Sequence, residues 1–221
     1  MIPLYDDIKS ARRPWMNYLL ISACTIVWII QFTRSSEQFE LQILQYGMVP
    51  AKIIQGKRLW TLLSSIFMHG GWFHFLGNML YLWIFGDNVE DAFGHTLYLL
   101  IYLSSGIAGN LLQMVISPFS SIPTIGASGA ISGIMGAYFV LYPRARVLTL
   151  IPFFIFIRMV YLPAAVLLGF WILFQILYGC SSAPGTGGGI AYFAHVGGFA
   201  LGVIFGLLIK RRVKRPWYEI H

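Results

Sequence analysis

Gly126-Ala127-Ser128-Gly129 opens one hydrophobic run, and Ala194-His195, trailed by Gly198, Gly202 and Gly206, lies in the last one. These two stretches decide how the chain is read. A serine and a histidine in greasy segments, each on a glycine-paved face, suggest a nucleophile and its base brought together inside a bilayer. Helices with bulky faces pack at about 8–10 Å between axes, and small residues let them come closer. Gly129, Gly133 and Gly136 form a strip beside Ser128. Gly198 and Gly202 follow His195 by three and seven residues, so they share its helix face.

A serine hydroxyl is a weak nucleophile until a base within about 2.6–3.2 Å takes its proton. The plainer alternative is that the glycine strips only drive helix packing and the serine is incidental. His195 argues against it, because an ionisable residue inside a span is a functional candidate by default. Apart from Asp87 and Glu90, toward the end of another span, no carboxylate lies in the spans near it. The pattern therefore offers a Ser–His dyad and no Ser-His-Asp triad. Residue 130 is alanine, so the G-x-S-x-G elbow of soluble hydrolases is missing.

His74 and Asn78 are four residues apart and share a helix face. Both are costly to leave in lipid, so they should point into the bundle. With the Ser128 backbone N–H at a helix start, they could aim donors at a developing oxyanion. Alternatively, Asn78 staples helices together and His74 is interfacial. His69, His95 and His221 sit at segment ends or the chain terminus and carry no assigned chemistry. His69 and His74 lack a third ligand for a metal, and no cofactor is expected.

Composition sets the solvent. Of 221 residues, 57% are apolar and 10% charged, and the mean hydropathy is +0.71. Soluble domains carry about 25% charged residues, so most of this chain is built for lipid. The net charge of +7 does not indicate nucleic acid, because the basic residues cluster at segment ends. Cys24 and Cys180 fall at different depths, which disfavours a disulfide.

Six spans are expected, at 15–33, 72–90, 96–116, 126–142, 160–179 and 190–209. The predicted fold is a single all-α polytopic membrane domain over 1–221, with the first span retained rather than cleaved as a signal peptide. The apolar stretch 147–157 contains Pro152 and stops at Arg158. It is too short to cross a core of about 30 Å, and joined to the fifth span it would make a helix of about 48 Å. It reads as an interfacial or re-entrant piece. Leu41, Leu44, Met48 and Trp60 in the mixed segment 34–71 suggest amphipathic pieces lying in the interface, with Arg58 and Trp60 as anchors.

Six spans put both termini on one side. Of the fifteen Lys and Arg, eleven fall there: Lys9, Arg12, Arg13, Arg144, Arg146, Arg158 and five in the basic tail 210–221. Arg34, Lys52, Lys57 and Arg58 make up the other four. The positive-inside rule then makes both termini cytoplasmic and the segment 34–71 extracytoplasmic. The charge-free loops 117–125 and 180–189 are extracytoplasmic too. Ser128 and His195 follow these loops, at similar depth below the outer surface.

Taken together, Gly126 to Gly129, Ala194-His195 with Gly198 and Gly202, and His74 to Asn78 resemble the rhomboid family of intramembrane serine proteases. The resemblance runs from about Arg58 through Gly206, with the motifs in the family's order. It implies a six-transmembrane-helix bundle that cleaves transmembrane segments of other proteins. It implies Ser128 as nucleophile, His195 as general base, His74 and Asn78 in the oxyanion hole, a structural Glu90 and a water-filled pocket open to the outside. The implied partners are the transmembrane helix of a substrate protein and membrane lipids, and the short chain without added domains suggests a prokaryotic plasma membrane. Two departures stand out. Some members carry a tyrosine one turn after the serine, under the histidine. Here that residue is Ser132, so another group must hold the His195 ring. Many carry adjacent Trp-Arg, whereas here the order is Arg58-Leu59-Trp60. Two other functions fit the composition. A non-catalytic client-binding relative would typically lack the serine or histidine, and this chain keeps both. A small transporter with His195 and His74 as a proton relay would be favoured by inverted repeats, and the sequence shows no internal repeat.

Overall fold

The structure is a computed structural model that describes residues 1–153, 156–181 and 189–210. Helix dominates. The helices are α1 (Trp15–Phe32), α2 (Ser36–Tyr46), α3 (Pro50–Ile54), α4 (Thr61–Ser64), α5 (Trp72–Phe93), α6 (His95–Ile116), α7 (Ser128–Leu141), α8 (Ala164–Ser181) and α9 (Tyr192–Ile209). A 3₁₀ turn at Ser65–Phe67 follows α4. Helices α1, α6, α8 and α9 are long and apolar enough to cross a membrane. The expected span 126–142 holds the 14-residue α7, about 21 Å long at 1.5 Å per residue. Helix α5 has 22 residues, but its last two turns carry Asp87, Glu90 and Asp91. Four helices, rather than six, thus meet the criterion among the described residues.

The chain is not all-α. Strands β1 (Ile2–Asp6), β2 (Arg146–Phe153) and β3 (Phe156–Pro163) form an antiparallel sheet in the order β1-β2-β3. The stretch expected to be interfacial or re-entrant is therefore a strand that returns as a second strand. Residues 154 and 155 between them lie outside the described residues. Val160, assigned from sequence to the fifth span, pairs with Thr149 in this hairpin, and α8 opens only at Ala164. The physical reason is a period of two. Ala145, Val147 and Thr149 are buried, while Arg146, Leu148 and Leu150 turn the other way. β-branched residues at 147, 149 and 151 suit that pleat. The first strand comes from the N-terminus, where Ile2 faces Leu150 and Asp6 faces Val147. Most of the basic tail, residues 211–221, and the loop residues 182–188 lie outside the described part.

Helix α7 occupies the centre, with every residue but Ser128 and Phe139 buried. Its packing against α9 is backbone on backbone. A Cβ at Gly198 would lie 1.9 Å from the Gly129 carbonyl oxygen, and one at Gly202 only 1.8 Å from that of Gly133. Helix α6 joins them, since a Cβ at Gly109 would meet the Ala194 carbonyl oxygen at 2.4 Å. Without a hydrophobic force between helices in lipid, such close packing and interhelical hydrogen bonds supply the association energy. The polar staples are explicit. Asn17 donates to the Leu82 carbonyl at 3.1 Å and accepts from the Tyr98 hydroxyl at 2.7 Å. Asn110 donates to the Leu62 carbonyl and to Ser65 Oγ, both at 2.9 Å.

Helix α1 has no side-chain cap of its own. Glu90 of α5 supplies one, accepting the N–H groups of Met16 at 2.9 Å and Asn17 at 2.7 Å, and it also pairs with His95. A carboxylate at a helix N-terminus satisfies orphan donors and opposes the helix dipole favourably. The N-terminal strand is tied to the same region. Asp6 accepts from Asn88 Nδ2 at 2.9 Å and from the Tyr138 hydroxyl.

Two outcomes follow from this packing. Gly202→Val forces the α7 and α9 backbones apart and costs about 2–3 kcal/mol, read as a lower unfolding midpoint in detergent. Burial, aided by Asp87 and Asp7 and opposed by the Tyr138 hydroxyl, raises the Asp6 carboxyl from 3.8 to about 7. Its contribution to stability is full below about pH 4 and is lost as pH rises toward 7. Asp6→Asn, which mimics the neutral acid, should gain stability over wild type between pH 4 and 7 and hold that difference above pH 7. Unfolding curves from pH 4 to 8 read it, and a difference that does not change with pH would contradict the assignment.

Candidate active site

Ser128 is the first residue of α7, reached through a tight approach at Gly126. Gly126 has φ +128°, a region L side chains rarely adopt, and its N–H donates to the Ser65 carbonyl at 2.9 Å. A Cβ there would also lie 2.6 Å from His74 Nε2. The same point is 3.5 Å from Ser128 Oγ, so the serine and His74 flank one small volume. Position at the N-terminus of α7 leaves first-turn N–H groups without helical partners and favours negative charge.

His195 lies in the first turn of α9 and is 8% exposed. Its Nε2 is 2.8 Å from Ser128 Oγ. Its Nδ1 is 2.7 Å from Oε1 of Gln175 on α8. The Trp171 ring, one turn earlier on α8, sits 5.6 Å from the imidazole at a 34° tilt. Ser132 is not the group that holds the ring: its hydroxyl donates to the Ser128 carbonyl at 2.5 Å, within its own helix.

His74 and Asn78 lie in the first two turns of α5. His74 Nδ1 accepts the Gly70 N–H at 3.3 Å. A neutral ring accepting at Nδ1 carries its proton on Nε2, the nitrogen that faces Gly126. Asn78 is 8% exposed, and its Nδ2 finds no partner among the described residues. A buried donor left unmet costs about 1–3 kcal/mol, so this amide is a candidate for binding an acceptor. Ser128, His195, His74 and Asn78 all line one cavity of about 1050 Å³. Among the described residues, no three His, Cys, Asp or Glu side chains are grouped to hold a metal.

The motifs singled out from sequence therefore meet at one place. The glycines named with them lie at the contacts that bring the helices there: Gly129 against Ala194, Gly133 against Ser105 and Gly198, Gly202 against Gly133. Gln175 and Trp171 did not emerge from the sequence. A signal existed, because Gln175 is the one amide in α8 and shares a face with Trp171 four residues earlier. His69, set aside from sequence, is fully buried, with its ring 5.4 Å from that of His74. Its backbone is bracketed by the Gln31 amide, which donates to the His69 carbonyl at 3.1 Å and accepts its N–H at 3.0 Å.

Residues 56–212 match the family model of the rhomboid domain. Rhomboid protein 1, mitochondrial, of Saccharomyces cerevisiae is 29% identical over 179 residues, covering 78% of this chain and 46% of the yeast protein. Rhomboid protease GluP of Bacillus subtilis is 34% identical over 125 residues, 57% of this chain and 24% of its own length. RHOMBOID-like protein 4 of Arabidopsis thaliana is 32% identical over 178 residues, 77% of this chain and 39% of its own. The chain thus spans less than half the length of these relatives. With its apolar helices of membrane-crossing length, it is an integral membrane protein. The matched stretch contains every residue of the cavity cluster from His74 to His195, and the chain belongs to the rhomboid family.

Proposed function

We propose that this chain is an intramembrane serine endopeptidase acting on transmembrane segments of other membrane proteins. The observation that carries the reading is the 2.8 Å contact between Ser128 Oγ and His195 Nε2 in a cavity that also holds an unmet amide donor. In this reading α1, α5, α6, α7, α8 and α9 are the six spans of the bundle. Both termini then share the cytoplasmic side, where most Lys and Arg fall.

The chemistry follows from the side chains present. His195 Nε2 takes the hydroxyl proton as Ser128 Oγ attacks the scissile carbonyl carbon. The oxyanion that forms accepts hydrogen bonds from His74 Nε2–H, the Asn78 amide and the Ser128 backbone N–H, each positioned before the reaction. His195 then gives its proton to the leaving amine, and the peptide bond breaks. Water, deprotonated by His195, attacks the acyl-serine; the ester bond breaks, His195 returns the proton to Ser128 Oγ, and the second product leaves as a carboxylic acid. A helical substrate hides its carbonyls in its own hydrogen bonds, so the segment must unwind at the cut. Helix-destabilising residues near the scissile bond are therefore favoured, and the family resemblance implies a small residue beside it.

Purified protein incubated with a single-span substrate tests the reading. Ser128→Ala and His195→Ala should each abolish cleavage and labelling by a serine-reactive fluorophosphonate, with unfolding midpoints near wild type. Cleavage that survives Ser128→Ala would end the proposal. Asn78→Ala should lower kcat by about 10²–10³-fold with KM little changed. Replacing Gly and Pro near the cut by Leu in the substrate should slow cleavage sharply, and an unchanged rate would rule out the unwinding step.

A further inference from the structure

We infer that Gln175 is a positioning residue for His195, its amide oxygen accepting the Nδ1 proton so that Nε2 is left bare to take the proton of Ser128. The inference rests on the reading of Ser128 and His195 as the reacting pair. A neutral imidazole carries one proton on one of its two nitrogens. A ring protonated on Nε2 would donate to Ser128 and could not act as its base. The working ring holds its proton on Nδ1, and that N–H needs an acceptor in a buried place. Gln175 Oε1, 2.7 Å away, is that acceptor. The reversed amide would turn its NH₂ to Nδ1 and impose the unproductive tautomer, so only one orientation of this side chain serves the base.

The neighbours support the assignment. Trp171, on the same face of α8, packs along the ring and limits its rotation. Ser132, the residue of α7 one turn past Ser128, spends its hydroxyl on the Ser128 carbonyl and leaves the ring to α8. A carboxylate in place of Gln175 would hold the same proton and steady the imidazolium more strongly, but it would bring an uncompensated charge into a membrane span. A neutral amide does the orienting part alone, as asparagine does in Cys-His-Asn proteases. Among the described residues, no Asp, Glu, Lys or Arg lines the cavity, and its other titratable side chains are His74, Tyr81, Cys180 and Tyr192.

The test compares wild type, Gln175→Leu, Gln175→Glu and Ser128→Ala as full-length protein in detergent or liposomes. Gln175→Leu should lower kcat by about 10- to 100-fold with KM little changed, through loss of the productive tautomer. Gln175→Glu should retain cleavage and move the acid limb of the kcat/KM profile to higher pH, because a carboxylate favours the imidazolium. Imidazole ¹⁵N shifts of His195 should show the Nδ1–H tautomer in wild type and a mixture in Gln175→Leu. Full activity in Gln175→Leu, an unmoved acid limb in Gln175→Glu, or an Nε2–H tautomer in wild type would each overturn the role of Gln175. The proposal beneath it fails differently: Ser128→Ala would then cleave as wild type does, while the nitrogen shifts still report the tautomer without turnover.

Discussion

The contact on which the rest depends is the one between the backbones of α7 and α9. Gly198 and Gly202 on α9 meet the Gly129 and Gly133 carbonyls on α7 so closely that neither has room for a single methyl. That approach brings the first turn of α7 and the first turn of α9 side by side. A hydroxyl at one helix start and an imidazole at the other then fall at 2.8 Å. With larger residues along the seam the axes would stand farther apart, and neither side chain is long enough to close the difference. Helix α6 enters the same seam at Gly109, against the Ala194 carbonyl, and at Ala108, whose carbonyl faces Gly197, so three backbones share it.

Around this seam the polar groups are used sparingly and almost always as staples. Asn17, Gln31 and Asn110 each hydrogen-bond backbone carbonyls of another element, and Glu90 caps α1 from α5. In lipid an unsatisfied polar atom is expensive, and these four side chains are paired. Among the described residues, Asn78 Nδ2, Trp28 Nε1, Gln42 Oε1, both His69 ring nitrogens, Ser105 Oγ and Gln113 Oε1 are buried without a partner, and of these the Asn78 amide is the donor that lines the cavity. Its place in the wall that also holds Ser128 and His195, and not the missing partner alone, marks Asn78 as a donor available to a substrate atom.

Some of this was readable before any coordinates. Ser128, His195, His74 and Asn78 stand out because polar side chains in apolar runs need a reason, and their glycine neighbours point to close packing. The sheet was not readable in the same way. The run 147–157 is mostly apolar at odd and even positions alike and too short for a span, so hydropathy could not separate a strand from an interfacial helix. Its partner β1 comes from the N-terminus, far away in the chain, and strand pairing over that separation leaves no local trace. Gln175 was legible in kind, as a lone amide in a greasy helix. Its target could not be known until α8 and α9 were placed against each other.

What the sequence determined by itself is chemical: which segments prefer lipid, which residues in them can exchange protons, and which faces are bare enough for backbones to touch. These depend on composition and on the fixed periods of helix and strand, both local properties. What only the tertiary structure decided is who meets whom. The distance from Ser128 to His195, the amide of Gln175 on the far side of that imidazole, and the docking of β1 on β2 join residues far apart in the chain. Such meetings depend on how whole elements pack, which is a property of the assembled bundle and of no single segment.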